Sequence, residues 1–151
     1  MVCLGNICRS PLAEGILKHK TKNLDVVVDS AGTASYHVGS LPDSRSIEIA
    51  NKNGIDLTDQ RARQFSEKDF DNFDKIYAMD TNNYSNIISL ARDQSDREKV
   101  DVILNELNPK SYDSVPDPYY GAGDGFQIVY DMLDNACDAI VGKLWSKASY
   151  I

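Results

Sequence analysis

Three cysteines, two histidines and one tryptophan are all that this chain of 151 residues contains of those types. An odd, small number of cysteines argues against a disulfide framework and fits a reducing compartment, so the cytoplasm is the expected location. Two histidines and no Cys/His ligand spacing offer no metal site, and no metal or other cofactor is expected. The chain has no apolar run near the length of a membrane span, no signal-peptide pattern, no low-complexity tract and no internal repeat. A basic excess is missing too. The formal net charge is −7, which disfavours nucleic-acid or anionic-membrane binding through a general field. The length suits one compact domain over residues 1–151, with a monomer as the default.

Against these absences one stretch is informative: Val2-Cys3-Leu4-Gly5-Asn6-Ile7-Cys8-Arg9-Ser10-Pro11. Ser10 reads as a helix N-cap and Pro11 as the first helical residue, where a missing N–H costs nothing. Leu12, Ile16 and Leu17 give the helix an apolar face, and Glu14 puts negative charge near its positive end. The loop Leu4 to Cys8 then wraps onto a helix N-terminus, where free N–H groups suit an anion. Five residues can curl around one tetrahedral oxyanion with the Cys3 thiol at the bottom. Arg9 closes the ring with a planar fork that suits two phosphate oxygens. The same donors would favour the thiolate and arm Cys3 as a nucleophile. Gly5 permits close backbone approach, and Asn6 tolerates the left-handed conformation such a bowl needs.

Further along, Leu24–Ser30 reads as a strand, Lys75–Met79 as another and Val100–Leu104 as a fourth after the short one at Cys3. Asp43 is placed to cap a helix that stops at Gly54, Ser66-Glu67-Lys68-Asp69 has a capping-box look, and a helix is expected from Thr81 to Leu90. Asp93 to Lys99 reads as a solvated surface connection. From Asp124 onward, Phe126, Val129, Tyr130, Leu133, Cys137, Ile140, Val141 and Leu144 recur at helical spacing. That stripe is core, and Cys137 belongs to it as an inert packing residue. Strands alternating with helices predict an α/β fold, a three-layer structure with a four-stranded parallel sheet and helices on both faces. In such sheets ligands sit beyond the carboxyl ends of the strands, where Cys3 to Arg9 would lie.

A second candidate motif is Val115-Pro116-Asp117-Pro118-Tyr119-Tyr120. Attack on a phosphate ester needs an acid for the leaving oxygen, and the flanking prolines would hold the backbone of Asp117 stiffly.

Cys-Leu-Gly-Asn-Ile-Cys-Arg-Ser-Pro and Asp-Pro-Tyr-Tyr, more than a hundred residues apart, together resemble the low-molecular-weight protein tyrosine phosphatases. The resemblance spans essentially the whole chain. It implies phosphotyrosine hydrolysis through a cysteinyl-phosphate, with Cys3 as nucleophile, Arg9 as phosphate clamp and Asp117 as general acid and then base. Leu4, Gly5, Asn6, Ile7, Cys8 and Arg9 would form the phosphate-binding loop. Asn6, Ser10 and Ser30 would brace it, with Ser10 also helping the departing thiolate. Leu4, Ile7, Tyr36, Tyr119 and Tyr120 would wall a slot for an aromatic ring. The family also suggests a protective disulfide between Cys3 and Cys8. A tyrosine-phosphorylated protein would be the partner, such as an autophosphorylating tyrosine kinase.

Two departures qualify the resemblance, and two rivals stand beside it. The family usually carries a longer strand before the cysteine, so either the first strand is very short or the natural chain has a few more residues there. A histidine usual near Gln60 is missing, which predicts a modified brace. The extra cysteines of arsenate reductases are absent from Met79 to Leu104, which discounts that activity. Protein-arginine phosphatases tend to carry threonine where Ile7 stands. A silent phosphate-binding module is the remaining alternative, although binding alone needs neither thiolate nor acid.

Overall fold

The computed structural model describes residues 1–121 and 123–148. Its strands are β1 (Val2–Cys3), β2 (Ala31–Gly32), β3 (Ile76–Ala78) and β4 (Val100–Val102). Its helices are α1 (Arg9–Lys20), α2 (Ser44–Lys52), α3 (Lys68–Asn72), α4 (Thr81–Ser89), α5 (Gln94–Glu98) and α6 (Gly125–Ala148), with a 3-10 turn at Ile103–Glu106. The sheet is parallel throughout, in the order β2-β1-β3-β4.

Alternation along the strands sorts the core into two layers. Cys3, Tyr77 and Met79 pack with Leu12 and Ile16 of α1 and with Val129, Leu133 and Cys137 of α6. Val2, Ile76 and Ala78 pack on the other side with Phe65, Phe70 and Ile87. Helices therefore cover both faces, as the strand–helix alternation predicts. Leu12, Ile16 and Leu133 are fully buried, each contributing about 1.5–3 kcal/mol relative to exposure.

Several local expectations are corrected. Leu24–Ser30 is not a strand: the ladder between β1 and β2 runs only through Val2↔Ala31 and Cys3↔Gly32. The β-branched run at Val26–Val28 has the propensity but not the pairing. Ser10 does not cap α1, which starts two residues earlier than expected, at Arg9, with Cys8 at the cap position. Glu14 accordingly sits in the second turn, buried, away from the helix start. Asp93–Lys99 is the exposed surface connection expected, but it holds a short helix rather than a loop. Asp93 accepts from Asp96 N at 2.9 Å and caps α5, while the buried Asp96 carboxylate takes Arg92 Nε at 2.8 Å. The Asp93 carboxylate folds back on the backbone, while most of the segment stays exposed.

Other punctuation matches the expectation. Asp43 accepts from Arg45 N at the start of α2, and Gly54 takes φ +76° just past its end. Half of the capping box forms, with Asp69 Oδ2 accepting from Ser66 N at 3.0 Å. No described helix is long and apolar enough to cross a membrane.

Candidate active site

Beyond the carboxyl end of β1 the chain turns sharply through Leu4–Cys8 into α1. The loop's carbonyls are spent outward. Cys3 O accepts from Thr33 N (2.9 Å), Leu4 O from Ala34 N (2.9 Å), Ile7 O from Asp43 N (2.7 Å) and Cys8 O from Ser46 Oγ (3.3 Å). In trans peptides, the form of every peptide bond described, each following N–H points the opposite way. The amides of Leu4, Gly5, Cys8 and Arg9 therefore turn inward and form an anion-binding nest at a helix N-terminus. Asn6 makes the curl possible at φ +58°, a left-handed position that asparagine tolerates.

The Cys3 thiol lies at the bottom of this bowl. Its Sγ accepts from Asn6 N at 3.2 Å and is 3.0 Å from Ser10 Oγ. Asn6 is the hub of the brace. Its Nδ2 donates to Ser10 Oγ (2.8 Å) and Ser30 Oγ (2.9 Å), and its Oδ1 accepts from Arg63 N (3.0 Å). Ser30 donates onward to Glu14 Oε1 at 2.7 Å, and Lys18 donates to Glu14 Oε2 at 2.8 Å. A buried carboxylate beneath the loop thus keeps both a hydrogen bond and a counter-charge. Gln60 lies outside the network: its Nε2 donates to Pro11 O at 3.1 Å, bracing the first turn of α1 instead.

Gly32 fits the loop from behind. A Cβ there would lie 2.8 Å from Leu4 O, 3.1 Å from Asn6 N and 3.1 Å from Gly5 C, all backbone atoms. Gly32→Ala is expected to push the bowl out of shape, lowering kcat/KM by about 10- to 100-fold and stability by about 1–3 kcal/mol. Steady-state kinetics beside a thermal melt would check this, and wild-type kcat/KM would refute it.

Arg9 is buried, held by Asp80 Oδ2 (2.7 Å) and Val115 O (3.0 Å), both accepting from Nη1. Its Nη2 is 3.7 Å from Asp117 Oδ2. Asp117 is partly exposed, and its Oδ1 accepts from Tyr119 N at 3.1 Å. The structure thus brings the two distant motifs together across one cleft of about 120 Å³, lined by Cys3, Leu4, Ile7, Arg9, Asp117 and Tyr119 among others. Gly5, Cys8, Tyr36, His37 and Tyr120 complete the lining. All five expected wall residues are there, with Tyr36 and Tyr120 largely exposed at the rim. A larger concavity of about 790 Å³ sits at the other end of the strands, around Val26, Phe73, Ile76 and Leu144. It contains neither the thiol nor the Arg9 guanidinium, so size does not locate the chemistry here.

Cys3, Cys8 and Cys137 are all free and buried. Burial pushes the Cys8 thiol up from an ordinary value near 9 to about 12, reinforced by the nearby Asp43 carboxylate. Burial raises Cys137 to about 12 as well. Both stay protonated near neutral pH and are poor nucleophiles.

Sequence reasoning missed Asp80, Glu14 as a buried acceptor, Arg63 and Arg45. Asp80 had a readable signal, as a polar residue just past a strand end in a parallel sheet. For Arg63 and Arg45 no local signal exists.

The family model for the low molecular weight phosphotyrosine protein phosphatases matches residues 1–149. A low molecular weight phosphotyrosine protein phosphatase of Schizosaccharomyces pombe is 43% identical over 137 residues, covering 87% of this chain and 86% of that protein. The crystal structure of a protein tyrosine phosphatase from Entamoeba histolytica superposes with a TM-score of 0.88 at 37% identity, covering 97% of this chain and 96% of its own. An arginine phosphatase of drosophila superposes with a TM-score of 0.87 at 34% identity, covering 95% and 94%. Motif, sheet order and these likenesses agree: the chain belongs to the low molecular weight phosphotyrosine protein phosphatases, a family of hydrolases.

Proposed function

We propose that the protein hydrolyses phosphotyrosine in proteins through a cysteinyl-phosphate on Cys3. The observation that carries this reading is the meeting of Cys3, Arg9 and Asp117 on one cleft whose floor is a nest of inward amides. The substrate phosphate occupies the nest, and its oxygens take the loop N–H groups and the Arg9 fork. The Cys3 thiolate attacks phosphorus in line. The bond from phosphorus to the phenolic oxygen breaks, and its electron pair leaves with that oxygen. Asp117 supplies the proton, so tyrosine departs neutral. Water then attacks the cysteinyl-phosphate, and the Asp117 carboxylate takes the proton that water gives up. The phosphorus–sulfur bond breaks toward Cys3, where Asn6 N and the Ser10 hydroxyl are placed to receive the returning negative charge.

Selectivity for phosphotyrosine follows from depth and lining. Cys3 is only 3% exposed, and Ile7, Leu4, Tyr36 and Tyr119 suit a flat ring. Phosphoserine is too short to place its phosphorus on Sγ with its peptide still outside. The likeness to the drosophila arginine phosphatase favours phosphoarginine as the second reading; an apolar Ile7 facing a guanidinium group speaks against it. The same reading places the protein in the cytoplasm as a monomer, with a tyrosine-phosphorylated protein such as an autophosphorylating kinase as partner.

Phosphate release from matched phosphotyrosine, phosphoarginine and phosphoserine peptides tests the assignment. Turnover of phosphotyrosine is expected to dominate, and Asp117→Ala to slow it by about a hundredfold or more. Faster turnover of phosphoarginine would keep the cysteine chemistry and overturn the substrate. No turnover by folded protein would leave a phosphate-binding module.

A further inference from the structure

Arg45, the second residue of α2, lies outside the cleft lining yet ties the two halves of the site together. Its Nε donates to Asp43 Oδ1 at 3.0 Å and its Nη2 to Asp43 Oδ2 at 2.9 Å, a two-pronged pair that fixes the guanidinium plane. The same Nη2 donates to Tyr119 O at 3.1 Å. Its Cζ stands 4.6 Å from the Phe126 ring centroid and 5.6 Å from that of Tyr119, within cation–π range of both. Asp43 is itself anchored, since its N–H donates to Ile7 O of the phosphate loop at 2.7 Å.

A continuous path therefore runs from the phosphate loop through Asp43 and Arg45 to Tyr119, whose N–H holds Asp117 Oδ1. The acid segment has few other ties. Pro116 and Pro118 have no N–H to give. Among the described residues, Arg45 supplies the hydrogen bond that joins the backbone of 116–120 to another element. Lysine could keep the charge but not the fork.

We propose that Arg45 is a positioning residue for the proton donor. It clamps the Asp117 segment at a fixed distance from the nest, and so sets how well the enzyme expels leaving oxygens that need a proton. This rests on the reading of Asp117 as general acid. Displacing a carboxyl by about an ångström is enough to cost an order of magnitude or more in rate. A leaving group that departs as a stable anion should hardly notice. The clamp would thus appear as a dependence on leaving-group basicity, which a merely structural residue would not produce.

The test compares kcat/KM for wild type, Arg45→Ala, Arg45→Lys and Asp117→Ala on p-nitrophenyl phosphate, phenyl phosphate and a phosphotyrosine peptide. Thermal melts run alongside. Arg45→Ala is expected to lose about 10-fold on phenyl phosphate and phosphotyrosine but less than about 3-fold on p-nitrophenyl phosphate, with Arg45→Lys between it and wild type. Asp117→Ala should show the same trend, with a steeper slope. An equal loss on all three substrates, or none, with a steep Asp117→Ala would overturn the role of Arg45 alone. A flat Asp117→Ala would overturn the acid assignment and the clamp with it.

Discussion

Replacing Cys3 by serine is expected to abolish phosphotyrosine hydrolysis, with kcat falling by about four orders of magnitude or more. The substitution nearly preserves volume at a 3% exposed site, so the fold should survive. What disappears is the proposed nucleophile. The groups around Sγ are Asn6 N, which donates to it, and the Ser10 hydroxyl at 3.0 Å; both can stabilise a thiolate, but neither is a base that takes a proton from a serine hydroxyl. The nest is unaffected, because its amides belong to the backbone. Cys3→Ser should therefore still bind inorganic phosphate, seen as a rise in melting temperature that matches wild type. Residual activity above about a thousandth of wild type would mean that another group can attack phosphorus.

Arg9 should show the second large effect, and one in which catalysis and stability separate. Arg9→Ala removes the fork from the phosphate and leaves Asp80 without its cation. Loss of one partner of a largely buried pair costs about 3 kcal/mol, and loss of a clamp on the developing charge costs about a thousandfold in kcat/KM. Arg9→Lys should recover much of the stability but little of the rate, since an ammonium cannot serve Asp80, Val115 O and two phosphate oxygens in one plane. Combining Arg9→Ala with Asp80→Asn tests the separation directly. Chemical denaturation should show stability moving back toward wild type, while kcat/KM stays down. Recovery of activity in the double variant would show that Arg9 acts mainly by neutralising Asp80.

The parts of the site that lie close in sequence were legible, and those assembled by the fold were not. Cys3, Asn6 and Arg9 share one loop, so their spacing alone carries the bowl geometry, including the positive φ of Asn6. Asp117 was legible through its prolines and tyrosines. The Arg9–Asp80 pair spans 71 positions, and the local sequence around Asp80 shows a polar residue past a strand end and a helix cap, but not its partner. It is that too, since Oδ1 accepts from Asn83 N at 2.7 Å while Oδ2 takes Arg9. Ser10 was misread for the opposite reason. Ser-Pro is a strong capping signal, but here the hydroxyl is drawn to Asn6 and Cys3, and the helix begins earlier at Arg9. The run at Val26–Val28 likewise carries a local preference for strand, whereas pairing is decided by what lies alongside.

The proposed chemistry depends on a covalent bond between phosphorus and the sulfur of Cys3. Rapid acid quenching during turnover of a phosphotyrosine peptide, followed by proteolysis and mass spectrometry, tests it most directly. A gain of one phosphoryl group is expected on the peptide that carries Cys3, absent from Cys3→Ser. Longer-lived label is expected in Asp117→Ala if loss of the base slows the second step more than the first. Phosphate on any other side chain, or turnover under single-turnover sampling with no phosphoryl group on the protein, would contradict the account.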